Sequence, residues 1–128
     1  MIPIKVLVPS GVLGLGFDNE ALSHGIKNNP DIISIDGGST DSGPYSLGSG
    51  TSKYSRAAIK AEWKSLMIAR AEANVPLVIG SCGTCGTNGM VDWMENITIE
   101  LAEELNQHLK IAKLYCDQKK AILKKVIN

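Results

Sequence analysis

The sequence predicts one α/β domain over residues 1–128, built on an open parallel sheet of about four strands with helices on both faces. Short β-rich runs alternate with longer helical patterns along the chain, which is typical of a parallel sheet connected by helices. The β-rich runs are also continuously apolar, as expected of strands covered on both faces. Because crossovers are right-handed, few topologies remain. Between a flavodoxin-like and a Rossmann-like three-layer arrangement, we favour the flavodoxin-like strand order, 2-1-3-4.

The first half of the chain supplies two strands and one helix. The apolar run "IKVLVPS" (4–10) predicts the first strand, and "DIISIDGG" (31–38) predicts the second. Asp18 is suited to cap the N-terminus of a helix that continues to Asn29. The helix therefore connects two parallel strands.

The second half continues the alternation. Residues 55–75 predict a helix, and Pro76 separates it from a third strand, "LVIGS" (77–81). A further helix begins near Met90, "KIAKLYC" (110–116) predicts a fourth strand, and 117–128 predicts a last helix. The apolar positions recur at helical spacing. They are Ile59, Trp63, Leu66 and Met67 in one helix and Met94, Ile97, Leu101 and Leu105 in the next.

Composition excludes several classes of protein. Thirteen basic and thirteen acidic residues cancel, so the chain has no bulk electrostatic attraction to nucleic acid or to an anionic membrane. Aromatic residues make up only 5%, which argues against a base-stacking surface. No signal peptide or transmembrane stretch is evident. Three cysteines without a secretion signal predict free thiols in a reducing cytoplasm.

Three loops rich in Gly, Ser and Thr follow the predicted strands, at 10–17, 36–51 and 80–89. Ligands of open parallel sheets bind beyond the carboxyl ends of the strands, and long loops in small domains are usually functional. We expect the three loops to converge into one pocket that binds a small, anionic molecule. The candidate ligand-binding residues are Ser10, Gly11, Gly14, Gly37, Gly38, Ser39, Thr40, Gly48, Ser49, Gly50, Thr51, Lys53, Arg56, Ser81, Cys82 and Gly83.

The loops and their flanking elements resemble a known family. The stretches "VLVPSGVLGLGF", "DIISIDGGSTDSGPYSLGSG", "SRAAIKAEW" and "VPLVIGSCGTCGTNGMVDW" together are similar to the acyclic terpene utilisation (AtuA-like) family, over nearly all of the chain. The resemblance implies the N-terminal portion of a longer protein and a role in the catabolism of branched acyl compounds. Some members carry ammonia-lyase-like names. Cys82 and Cys85 stand where the family tends toward small residues.

Acid–base chemistry on a carboxylate or acyl compound is the leading hypothesis. Both histidines fall on predicted helices away from the loops, which leaves Asp36, Asp41 and Tyr45 as candidate catalytic residues. Lys53 and Arg56, beside "GSGTS", would add charge for an anion bound by backbone N–H groups. The alternatives are a structural role for both aspartates, as acceptors in a turn, or a Mg²⁺ ion on them.

Two other chemistries receive weaker support. Gly11, Gly14 and Gly16 follow a strand, but their spacing is GxxGxG and not the GxGxxG of dinucleotide sites, and Asp18 would repel a pyrophosphate. The "CGTC" stretch, Cys82 to Cys85, fits a redox motif only in part, because "GTNG" separates it from the helix. Zinc would need two further ligands.

We therefore predict a domain that binds and transforms a small carboxylate or acyl compound by lyase, hydratase or isomerase chemistry, with its cofactor unknown. The alternatives are a non-catalytic ligand-binding or interaction module, or a CxxC redox protein. The expected partner is a small anionic molecule, with no nucleic acid and no membrane. A homo-oligomer and a missing C-terminal domain both stay open.

Overall fold

A computed structural model describes residues 2–9, 11–38 and 42–127. The described chain contains three strands and five helices. They are β1 (Val6–Leu7), α1 (Asn19–Ile26), β2 (Ile32–Asp36), α2 (Tyr45–Ser49), α3 (Arg56–Ala73), β3 (Leu77–Gly80), α4 (Asn88–Glu104) and α5 (Lys120–Ile127).

The long helices begin where their sequences supply a cap. Asp18 accepts hydrogen bonds from the backbone N–H groups of Glu20 and Ala21 at the start of α1. Ser55 caps α3, and Thr87 caps α4, which begins at Asn88, two residues before the predicted start. Each cap satisfies N–H groups that the first helical turn leaves without partners. These three predicted helices are confirmed.

The sheet is parallel, and its strand order is β1-β2-β3. Val6 aligns with Ile32, and Ile33 aligns with Leu77. The favoured order 2-1-3-4 is therefore wrong for these strands. β2 lies in the centre, and its inward side chains, Ile33 and Ile35, are the most deeply buried of the strand residues.

The strand order also decides where the helices lie. When successive right-handed crossovers move across a sheet in one direction, their helices lie on the same face. The helices α1, α3 and α4 share one core with the inward side chains of β2. The prediction of helices on both faces is thus wrong for these three helices, because that layering requires the strand order to reverse. The core residues are Leu13, Leu22, Ile26, Ile33, Ile35, Ile59, Trp63, Leu66, Met67, Ala69, Cys82, Met94, Ile97 and Leu101.

The opposite side of the sheet, called the open face here, carries the alternate side chains of the strands. Successive residues of a strand point to opposite faces, so this face comprises Val6, Ile32, Ser34, Asp36, Val78 and Gly80. Val6 is 54% exposed and Val78 is 45% exposed. Parallel sheets are normally covered on both faces, so apolar strand residues in contact with solvent are unusual.

The predicted fourth strand at 110–116 is wrong: the structure assigns no strand to these described residues. Residues 110–118, called the strap here, lie along α4 instead. The Lys113 ammonium contacts Asp92 and Glu95. Further along, Asp117 and Asn88 exchange two backbone-to-side-chain hydrogen bonds. Polar contacts to a helix replace the expected sheet ladder.

Among the described residues, no helix is both long enough and apolar enough to cross a membrane. The last helix, α5, has only eight residues.

Candidate functional site

The carboxyl end of β2 is the meeting point of the three loops. Loop 1 (11–17) joins it where the Leu13 N–H donates to the Asp36 carbonyl over 2.9 Å. Loop 2 (37–54) continues from it, and the Gly37 N–H donates to the Gly80 carbonyl over 2.7 Å. Loop 3 (81–87) contacts loop 2 where the Thr84 N–H donates to the Gly37 carbonyl. The expected convergence of the loops is present in the described residues.

Loops 2 and 3 approach each other most closely at Gly38 and Thr84. A Cβ atom added at Gly38 would lie 2.1 Å from the Thr84 Cα atom, so only glycine allows this approach. The Thr84 side chain is buried, and its hydroxyl accepts the Lys53 N–H over 3.1 Å. Thr84 and Ser81 both adopt positive φ angles, at 74° and 48°. Strained backbone of this kind often accompanies a functional site.

Loop 1 is held by a carboxylate from α3. The N–H groups of Gly14 and Gly16 donate to the two oxygens of Glu62, over 2.6 and 2.9 Å. Tyr54 packs against Gly14 so closely that an added Cβ would meet its side chain at 2.6 Å. Glu62 thus takes the position that an anionic ligand of these two N–H groups would take. Gly11 lies at the exposed start of the loop with a φ of 84°.

The Asp36 carboxylate is exposed, and it accepts the Gly38 N–H over 3.0 Å. This hydrogen bond is the structural role that the sequence allowed for, as in an Asx turn. One carboxylate oxygen retains its capacity to accept from a ligand. Since Asp36 aligns with Gly80, no side chain lies beside it on β3. The carboxylate therefore opens onto the solvent side of the sheet.

The segment predicted to bind an anion, Gly48–Thr51, is a helical turn and its cap. The N–H groups of Gly48, Gly50 and Thr51 donate to the carbonyls of Pro44 and Ser46. The Ser49 hydroxyl is bonded to the Tyr45 carbonyl and to the Thr51 hydroxyl. These N–H groups are consequently used inside the segment. Tyr45 itself is 79% exposed.

The two predicted cations have different surroundings. The Lys53 ammonium donates to the Ser42 hydroxyl and lies 5.8 Å from the centre of the Tyr54 ring, so it stays beside loop 2. Arg56 pairs with Glu100 of α4 at 2.6 Å. Hydrogen bonds from Lys60 and Arg56 lower the pKa of Glu100 to about 2. Arg56 is therefore engaged between two helices, and Lys53 is the cation at the loops.

All three cysteines are free thiols in different surroundings. Cys82 is buried, and desolvation raises the pKa of its thiol, which opposes its use as a nucleophile. Cys85 is half-buried and its sulfur lies 3.5 Å from the Thr87 hydroxyl. Cys116 is exposed on the strap. Gly83 between the first two is buried against the Met90 side chain.

Four sequence-predicted site residues, Ser10, Ser39, Thr40 and Asp41, lie outside the described residues. Of the histidines, His24 is on α1 as predicted, but His108 follows the end of α4. Within the described parts of the chain, no group of three His, Cys, Asp or Glu side chains could hold a metal ion.

Sequence reasoning missed Glu62 and Thr84, which hold the loops together. Glu62 is one of several charged residues in α3, and no local signal marks the contact across 46 residues. Sequence reasoning also expected a crevice, which in open sheets forms where the strand order reverses. The order β1-β2-β3 contains no reversal. Two surface depressions lie elsewhere, one on α1 around Ser23 and one between α4 and the strap around Gln107.

Comparison of the chain with protein-family models, with curated proteins and with solved structures finds no match. The similarity to the AtuA-like family rests on the quoted stretches of sequence alone.

Proposed function

We propose that the chain binds a small carboxylate or acyl compound at the carboxyl edge of the sheet and transforms it by acid–base chemistry. One observation carries the proposal: three loops from three strands are joined by hydrogen bonds at the end of β2, where the Asp36 carboxylate is exposed. Gly38 donates to this carboxylate and Gly80 aligns with Asp36 on β3, and glycine lets a ligand come close to the backbone.

The charges of the loops suit a substrate with a negative end. The Lys53 backbone is linked through Thr84 to Gly37, the residue after Asp36, since the Lys53 N–H donates to the Thr84 hydroxyl and the Thr84 N–H donates to the Gly37 carbonyl. A carboxylate or an acyl oxygen would lie toward the Lys53 ammonium, and the carbon to be deprotonated would lie toward Asp36. Separate groups for charge stabilisation and for proton transfer are what proton abstraction beside a carbonyl requires.

In the proposed step the Asp36 carboxylate takes a proton from the carbon next to the carbonyl. The electron pair of that C–H bond forms a C=C bond, the π pair of the carbonyl moves to its oxygen, and Lys53 stabilises the resulting negative charge. Return of the proton to another carbon gives an isomerase, whereas loss of a group from the neighbouring carbon gives a lyase. Asp41 and Tyr45 are the further candidates for proton transfer. The AtuA-like resemblance favours an acyl substrate, and free cysteines fit a reducing cytoplasm.

A non-catalytic binding or interaction module is the second candidate, and internal hydrogen bonding favours it. The backbone N–H groups of four loop glycines already donate to acceptors within the chain; the glycines are Gly14, Gly16, Gly48 and Gly50. The sheet also lacks a reversal of strand order. Both features reduce the space and the number of donors that a substrate would use.

A thermal-shift screen against carboxylates, acyl-coenzyme A thioesters and nucleotides tests the proposal. A ligand at 100 times its dissociation constant stabilises the folded state by about 2.7 kcal/mol. The screen is repeated with Asp36→Asn and with Asp31→Asn, a matched control at the opposite end of β2 whose carboxylate also accepts a backbone N–H. We expect Asp36→Asn to bind a compound found in the screen without converting it to product, and Asp31→Asn to bind and convert it as the wild type does.

Two results would contradict the proposed catalytic site. Wild-type turnover in Asp36→Asn would leave the aspartate as a brace of the loop and would end the catalytic assignment. A flat response to every compound would favour the non-catalytic module.

A further inference from the structure

Two apolar surfaces of the described chain lie open to solvent. One is the open face of the sheet, where Val6 and Val78 are exposed. The other is one side of α5, where Ile122, Leu123 and Val126 are 49%, 46% and 80% exposed. The spacing of these three side chains places them on one stripe of the helix. We propose that two copies of this chain associate through them, with α5 of each copy packed on the open face of the other.

The dimensions of the two surfaces agree. Three strands about 4.8 Å apart place the outer strands about 10 Å from each other, and a helix with its side chains is about 10–12 Å wide. The eight residues of α5 extend over about 12 Å, and the five residues of β2 extend over about 16 Å. One α5 therefore covers most of the face of this sheet and supplies the second helical layer that parallel sheets require.

The charges also agree. The polar side of α5 carries Lys120, Lys124 and Lys125, and Lys119 precedes the helix. Asp36 lies at the carboxyl end of the open face with its carboxylate exposed. A lysine of the incoming helix would meet this acid at the rim of the contact, where charge complementarity guides association, so the second copy and the proposed substrate would compete for the Asp36 carboxylate.

The chain's own α5 cannot reach this face while the strap stays in place. Asp117 is bonded to Asn88 at the start of α4, and only two residues separate it from Lys120. Three steps of the backbone reach about 11 Å. Because neighbouring layers are about 10 Å apart, a helix on the open face would lie about 20 Å from α4. A second copy has no such restriction.

Other ways of using the open face are less well supported. A pairing of β1 edges between copies would involve few residues, because Pro3 and Pro9 flank the strand and proline cannot donate to a ladder. An anionic membrane would attract the lysines of α5, but it would leave the open face uncovered. The proposed exchange of helices covers both apolar surfaces at once.

Sedimentation equilibrium over about 5–500 µM protein tests this, since contacts smaller than a standard interface are weak. We expect dimers with a dissociation constant of about 10–100 µM, because the interface is small. Leu123→Asp on α5 and Val78→Asp on the open face should each weaken dimerisation at least tenfold. Leu114→Asp, at an 88% exposed position on the strap, is the control and should dimerise as the wild type does.

Mixing provides the sharper measurement. Leu123→Asp keeps an intact open face and Val78→Asp keeps an intact α5, so an equimolar mixture should form heterodimers through one of the two contacts. Val6→Asp replaces Val78→Asp if near-ultraviolet circular dichroism shows that the latter is unfolded. A wild-type chain that stays monomeric throughout, or a Leu123→Asp chain that dimerises normally, would overturn the proposal.

Two further outcomes are distinguishable. If Leu123→Asp destabilises the monomer by the same amount at every concentration, α5 covers its own sheet and the exchange is wrong. Vesicles of phosphatidylcholine with and without phosphatidylserine form the last arm. Binding of α5 to the anionic vesicles by a chain that does not dimerise would assign the helix to a membrane surface instead.

Discussion

Gly38→Ala is the substitution that the joined loops tolerate least. The new Cβ would lie 2.1 Å from the Thr84 Cα atom and 2.4 Å from the Thr84 nitrogen. Both atoms belong to the backbone, so no side-chain rotation relieves the contact, and loops 2 and 3 have to separate. Overpacking of this kind costs about 1–3 kcal/mol.

Separation also weakens the hydrogen bonds across the contact. The Thr84 N–H donates to Gly37 over 3.3 Å, and the Lys53 N–H donates to the Thr84 hydroxyl over 3.1 Å. Each is worth about 0.5–1.5 kcal/mol. We therefore expect Gly38→Ala to lower the free energy of unfolding by about 2–5 kcal/mol, which is a large part of the 5–15 kcal/mol typical of a domain.

Urea unfolding followed by tryptophan fluorescence measures this loss, because Trp63 is buried in the core. Gly48→Ala is the matched control in the same loop: a Cβ there meets nothing within 4 Å, and alanine favours the helical turn. We expect the control to be neutral or slightly stabilising. A Gly38→Ala chain within about 0.5 kcal/mol of the wild type would refute the close approach of the loops.

Three further predictions concern the surroundings of the site. Replacing Glu62 with Gln removes the charge that two loop-1 N–H groups share, so the free energy of unfolding should fall by about 1–3 kcal/mol; an unchanged value in urea unfolding would contradict this. Hydrogen bonds from Lys60 and Arg56 lower the pKa of Glu100 from 4.5 to about 2, so the contribution of Glu100 to stability is present above pH 4.5 and is lost as the pH falls toward 2. Glu100→Gln should therefore flatten the fall in thermal stability between these two pH values, and an unchanged slope would argue against the pairing. Burial raises the pKa of Cys82, so a thiol reagent should modify the exposed Cys116 first, as mass spectrometry of single-cysteine variants would show; faster modification of Cys82 would place it at the surface.

Local signals predicted α1, α3 and α4 well because each has a polar cap and an apolar stripe. Asp18 begins α1, and Met94, Ile97 and Leu101 are buried in α4. Such features need only neighbouring residues. The strands β1, β2 and β3 were also recognisable from their apolar runs.

The errors share a different cause, since each depends on partners distant in sequence. Residues 110–116 are as apolar as a strand, yet Lys113 is fixed by α4 and no ladder forms. The strand order was wrong because apolar runs give no indication of which strand is central. That error then carried over to the layering, since a sheet without reversal keeps its helices on one face.

The candidate site shows the same division. Glycine-rich loops after three strands predicted where the loops meet. They could not reveal that Glu62 already accepts from Gly14 and Gly16, or that Thr84 fills the contact beneath Gly38. Donors that look free in a sequence can be satisfied by a side chain from another element.

The most direct test of the proposed site is a nuclear magnetic resonance titration with the carboxylates and acyl compounds of the screen. For a ligand that binds with a dissociation constant near about 1 mM or below, we expect the amide signals of Gly37, Gly38, Lys53 and Thr84 to shift together and to saturate at one ligand concentration. The Asn19 and Ser23 signals on the α1 depression should stay in place. Saturating shifts confined to α1 or to the strap, with loops 2 and 3 unaffected, would contradict a site around Asp36.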